Sequence, residues 1–176
     1  MDKKFFISLA ILFFVFAGFS FAQKDQIRVS PKASVMQEVG LTEVKVDYNR
    51  PGVKGRTVWG ELVPYNKVWR AGANEATIIS FSSDVSIEGK KLPAGKYSFF
   101  AVPNKNEWTL IFNKVAEQWG AFEYNEAEDA LRITVKPQSN NFTEWLTYSF
   151  EKTGDKAATL NLKWEKIKVP FKIEVK

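Results

Sequence analysis

The chemistry of this chain concentrates in residues 50–77, RPGVKGRTVWGELVPYNKVWRAGANEAT. Trp59, Tyr65 and Trp69 offer flat apolar faces of the kind that stack on sugar rings. Arg50, Arg56, Arg70 and Asn74 offer hydrogen-bond donors, and the planar arginine fork suits carboxylates and phosphates. With Glu75 they form an expected ligand-binding set for a glycan or a small anionic molecule. A second chemistry uses Glu61 and Glu75 as a carboxylate pair. Glycosidases need two such groups a few ångströms apart across a cleft, and no hydrolase motif surrounds either residue. A third reading makes the stretch scaffold only, with Trp59 and Trp69 in the core and Arg70 paired to Glu75 to hold the loop's shape.

The sequence has no histidine and no cysteine. That removes Ser-His-Asp and Cys-His nucleophilic sites, Cys/His zinc sites and histidine acid–base catalysis. The acidic run Glu123, Asn125, Glu126, Glu128 and Asp129 lacks the central glycine of a calcium loop and reads as a solvated turn. Gly55, Gly60 and Gly72 fit neither a GxGxxG nor a GxxxxGK[ST] pattern, so they serve turns. Neither a cofactor nor a metal is expected.

The elements that must position this stretch are strands. Val44, Val46 and Tyr48 alternate with Lys45 and Asp47 as in a half-buried strand, which Arg50-Pro51-Gly52 ends. ATIISFS, residues 76–82, is apolar on both faces and predicts a central strand. KYSFFAV and EWTLIFN, residues 96–102 and 107–113, predict a hairpin. Residues 115–120 predict a single helical turn. Alternation continues through Leu131, Ile133 and Val135, then Leu146, Tyr148 and Phe150, then Leu160, Leu162 and Trp164. Ile167, Val169, Phe171, Ile173 and Val175 keep the period in the opposite phase. One residue must therefore be inserted near Glu165-Lys166, by a bulge or a reversal. Lys168, Pro170 and Lys172 suit an exposed edge. The fold class is all-β: an antiparallel β-sandwich, jelly-roll-like or Ig-like, with one long ordered loop packed across an end or face.

Lys3 and Lys4 precede an apolar run over residues 5–19, and Ser20-Phe21-Ala22 follows as a small-residue cleavage pattern. This order of parts predicts a signal peptide over residues 1–22 and an exported protein, periplasmic or secreted, with a single domain over residues 23–176. No membrane span is expected in the mature chain. Loss of Asp2, Lys3 and Lys4 lowers the net charge from +5 to +4. The excess is spread along the chain, which suits a solvated surface and not a nucleic-acid partner. Without disulfides the fold must rest on its core, and the whole sequence is rich in aromatics, with 15 Phe, 6 Trp and 5 Tyr.

The strings Arg50-Pro51, Lys54-Gly55-Arg56, Trp59-Gly60, Leu62-Val63-Pro64-Tyr65 and VWRAGANEAT, residues 68–77, resemble the domain-of-unknown-function family numbered 2911. The likeness continues through Leu92-Pro93-Ala94-Gly95, Tyr97-Ser98, Pro103, Trp108-Thr109 and Ile111-Phe112-Asn113, and fades after about Lys114. The resemblance implies export by a Gram-negative bacterium and assigns no catalytic residues. The expected function is a non-enzymatic binding or interaction module. The alternatives are the carboxylate hydrolase and a purely structural envelope protein.

Overall fold

The computed structural model describes residues 27–176, so the expected signal peptide lies outside the described residues. The chain forms two antiparallel sheets packed face to face. The first contains β1 (Lys32–Val39), β2 (Thr42–Asn49), β3 (Thr77–Phe81), β6 (Gly95–Val102), β7 (Trp108–Asn113) and β8 (Asp129–Val135), in that spatial order. The second runs β5 (Lys90–Leu92), β4 (Val85–Ile87), β10 (Ala157–Glu174), β9 (Gln138–Gly154).

Period-two alternation explains the layering. Val44, Val46 and Tyr48 on β2, Ile79 and Phe81 on β3, and Phe99 on β6 point inward and are buried. They meet Leu160, Leu162, Trp164, Phe171 and Ile173 of β10. Phe99 stacks on Phe171 across the two sheets, with ring centres 5.6 Å apart, and Tyr48 meets Tyr148 edge-on at 4.8 Å. Each large ring buried this way contributes about 1.5–3 kcal/mol, which is how a chain without cysteine can hold together. β3 lies between β2 and β6, as its two apolar faces predict.

The phase reversal near Glu165 is a bulge inside one continuous strand. Pairing with β9 shifts register on both sides of Glu165, whose φ is +54°. The edge expected from Lys168, Pro170 and Lys172 is a correction, because β10 lies between β4 and β9. Pro170 is tolerated because pairing with β9 ends at Lys168↔Gln138 and pairing with β4 begins at Ile173↔Ile87.

The helical turn expected at residues 115–120 is also corrected. This segment is an extended strap over the outer face of the first sheet. The Ala76 amide donates to the Gln118 carbonyl and the Gly120 amide to the Asn74 carbonyl, both at 3.0 Å. Tertiary pairing overrides local propensity here. Gln118 pins the strap, its side-chain amide donating to Ser98 Oγ, Asn113 Oδ1 and the Val115 carbonyl. The acidic run carries a single 3-10 turn, Glu126–Glu128, and Asp129 takes hydrogen bonds from Tyr124, Asn113 and Arg132.

Candidate functional site

The long segment between β2 and β3 is fully ordered. The Trp69 amide and carbonyl both bond Ala101 of β6 at 2.8 Å, and Gly52 bridges to Trp145 of β9. It therefore spans from one sheet to the other. Within it, Val63 bonds back to Val58 at 2.8 Å and both side chains are buried. Gly60 closes this turn at φ +94°, and a Cβ there would meet the Tyr65 ring at 3.1 Å.

The aromatic residues expected to grip a ligand lie mostly inward. Trp59, Trp69, Trp108 and Trp164 form one cluster. Trp59 sits edge-on to Trp108 at 4.9 Å and to Trp164 at 5.6 Å, and Trp69 stacks on Trp164 at 5.8 Å and 17°. Such pairs add about 0.5–1.5 kcal/mol each beyond their area burial. Tyr65 packs against Gly60. Arg50 staples the loop to β9, its Nε donating to the Leu146 carbonyl and Nη2 to Thr147 Oγ1. Asn74 donates to the Ser30 carbonyl. These contacts are structural.

Glu75 does not pair with Arg70. Its carboxylate takes a two-pronged interaction from Arg28, at 2.6 and 2.8 Å, and a hydrogen bond from Asn49 at 3.0 Å, with Lys32 at 3.7 Å. The Arg28 hydrogen bonds hold the carboxyl down at about 2. A folded value below the unfolded 4.5 means that this clamp stabilises fully above pH 4.5 and is lost as pH falls towards 2. Glu75→Gln should therefore lower the melting temperature near neutral pH, and the deficit should shrink to a small fraction by pH 2. Thermal unfolding of both proteins from pH 2 to 7 reads this directly. A deficit independent of pH would show that ionic pairing contributes nothing.

Three of the expected ligand-binding residues do meet at one cavity. Arg56, Trp69 and Arg70 line a pocket of about 230 Å³, together with Lys54 and Trp164. No carboxylate lines it. Among the described residues, none of Lys54, Arg56 and Arg70 forms a side-chain ion pair. The nearby Glu144 carboxylate is engaged by the Lys54 backbone amide at 2.9 Å. Arg56 is anchored by its Nε on the Val53 carbonyl and by Nη2 on the Gly52 carbonyl. Arg70 gives one hydrogen bond, from Nη1 to the Asn74 carbonyl at 3.2 Å, and its Nε is closed off without a partner. Burial pulls the Arg70 guanidinium below its ordinary range, with no acid to compensate. A partly buried cation without a counter-ion is a candidate partner for an anionic ligand. Lys54 was legible as the middle of the RPGVKGR string but its convergence with Arg70 was not.

The fold and this loop define an all-β sandwich with a small, basic, tryptophan-floored pocket. The chain matches the family model described as "Protein of unknown function (DUF2911)" over residues 30–173 and belongs to that family. The match runs well beyond Lys114, where the quoted motifs fade. No curated protein and no solved structure matches the chain. Among the described residues, no helix is long and apolar enough to cross a membrane.

Proposed function

We propose that the protein is an exported, non-enzymatic binding module whose loop pocket holds a small anionic molecule bearing carboxylate or phosphate groups. The observation that carries this is the convergence of Lys54, Arg56 and Arg70 on a single cavity lined by no acid. Arginine forks match the planar geometry of such anions, and the anchored Arg56 side chain loses little freedom on binding. The pocket volume suits a small organic acid or phosphate and not an oligosaccharide. Export to the periplasm or beyond rests on the basic start, apolar run and small-residue site of residues 1–22.

The hydrolase alternative finds less support. Glu75 is kept ionised by Arg28, whereas a general acid needs a raised carboxyl. Glu61 lies exposed in the turn between Val58 and Val63. The test is calorimetric titration of the purified protein with phosphate, citrate and succinate at fixed ionic strength. Saturable binding, lost when Lys54 and Arg56 are replaced together by glutamine, is expected. Equal heats for the wild type and the double variant would sink the reading.

A further inference from the structure

A larger cavity than the loop pocket lies elsewhere, on the outer face of the first sheet. It is an open cleft of about 710 Å³, floored by Asp47 and Ile78 and walled by Lys32, Glu75, Glu117 and Trp119. Trp119 projects from the strap and is 60% exposed. Trp59 and Trp69 of the loop are partly buried and pack against the core, so this exposed indole stands apart.

Its setting is rigid. The strap backbone is paired on both sides of Trp119, through the Gln118 carbonyl and the Gly120 amide. Gly120 has φ +69°, and a Cβ there would lie 2.7 Å from Arg70 Nη1 and 2.9 Å from the Phe122 ring. Glu75, the bridge partner of Trp119, is equally fixed, because it is held by Arg28 and Asn49. An aromatic plane kept in water by a pinned backbone, beside polar groups over a concave floor, is an arrangement suited to saccharides. The ring covers the apolar C–H face of a sugar, and the flanking groups bond its hydroxyls.

The charge of the lining selects among saccharides. Asp47, Glu75 and Glu117 line the cleft with Lys32, but Glu75 is matched by Arg28 and Asp47 by Lys45, so Glu117 is the lining carboxylate with no ion pair among the described residues. Asp47 is bridged by Lys45 at 3.0 Å, at a pair that is half exposed. Glu117 disfavours an acidic sugar beside it, whereas hydroxyls and ammonium groups find an acceptor there. An ammonium would also be favoured by the indole face.

We propose that this cleft is a second binding site, for a neutral or amine-bearing oligosaccharide, with Trp119 as its stacking platform. It uses none of the three cations of the loop pocket and stands or falls separately from that pocket.

The experiment titrates the purified protein with cellohexaose, chitosan hexamer and hexagalacturonate, followed by calorimetry. Cellohexaose or chitosan hexamer should bind and hexagalacturonate should not. Trp119→Ala should weaken binding about tenfold or more with an unchanged melting temperature, since the side chain is mostly exposed. Glu117→Gln should weaken chitosan selectively. Failure of all three sugars at millimolar concentration, equal binding of the acidic one, or undiminished binding by Trp119→Ala would overturn the proposal. If no sugar binds and Trp119→Ala instead turns a dimer into a monomer, the exposed Trp119 and Phe122 mark a self-association surface and the saccharide site is wrong.

Discussion

Replacing Trp164 with alanine is expected to cost roughly 3–5 kcal/mol of folding stability, the range for removing a fully buried tryptophan. Trp164 is 1% exposed, stacks on Trp69 and meets Trp59 edge-on. Its Nε1 donates to the Glu144 carbonyl at 3.2 Å, so the substitution also removes a hydrogen bond, while that carbonyl keeps the one from the Val53 amide. For a domain of this size the melting temperature should fall by roughly 10 °C or more. Trp164→Phe keeps an aromatic face and should cost less than half as much. The same cluster floors the anion pocket, through Trp69 and Trp164. Urea unfolding of the two variants checks this. A loss under about 1 kcal/mol for the alanine variant would mean that the four tryptophans do not bear on stability as a unit.

The second large effect separates function from stability at one residue. Arg70→Met should lower affinity for a bound dianion by roughly ten- to a hundredfold, the worth of one charge-assisted contact at about 1.5–3 kcal/mol. Folding should change by less than about 1 kcal/mol. The substitution loses the hydrogen bond to the Asn74 carbonyl but also removes a half-buried guanidinium that has no acid partner. A residue kept for packing alone would show the opposite pattern. Were Arg70→Met to unfold the protein, or bind anions as well as the parent, Arg70 would be scaffold and the loop pocket would lose its central residue. Denaturant midpoints measured beside anion titrations read both halves.

How far the candidate site was readable depends on which contacts define it. The loop's chemistry was visible in its composition, and Arg56, Trp69 and Arg70 do share one cavity. What was not visible was the inward turn of Trp59, because a tryptophan reads the same in a core and on a surface until its neighbours are known. Nor was the partner of Glu75. Arg28 lies 47 residues away, in a lead-in that reads as plain polar sequence. The strap was misread for a related reason. Residues 115–120 carry no strong period of their own, and their extended form comes from pairing with Asn74 and Ala76. Trp119 and Asp47 therefore gave no sign that they would face one cleft.

By itself the sequence determined the all-β class, the central place of β3, the phase change near Glu165 and the absence of histidine and cysteine chemistry. Each is carried by side-chain type and a period of two, which are local properties of the chain. Only the tertiary structure decided that β10 is an interior strand, that four tryptophans from the loop, β7 and β10 close into one cluster, and which cations are left without a counter-ion. These follow from contacts between residues far apart in sequence, whose pairing is set by how the sheets stack and which no local pattern encodes.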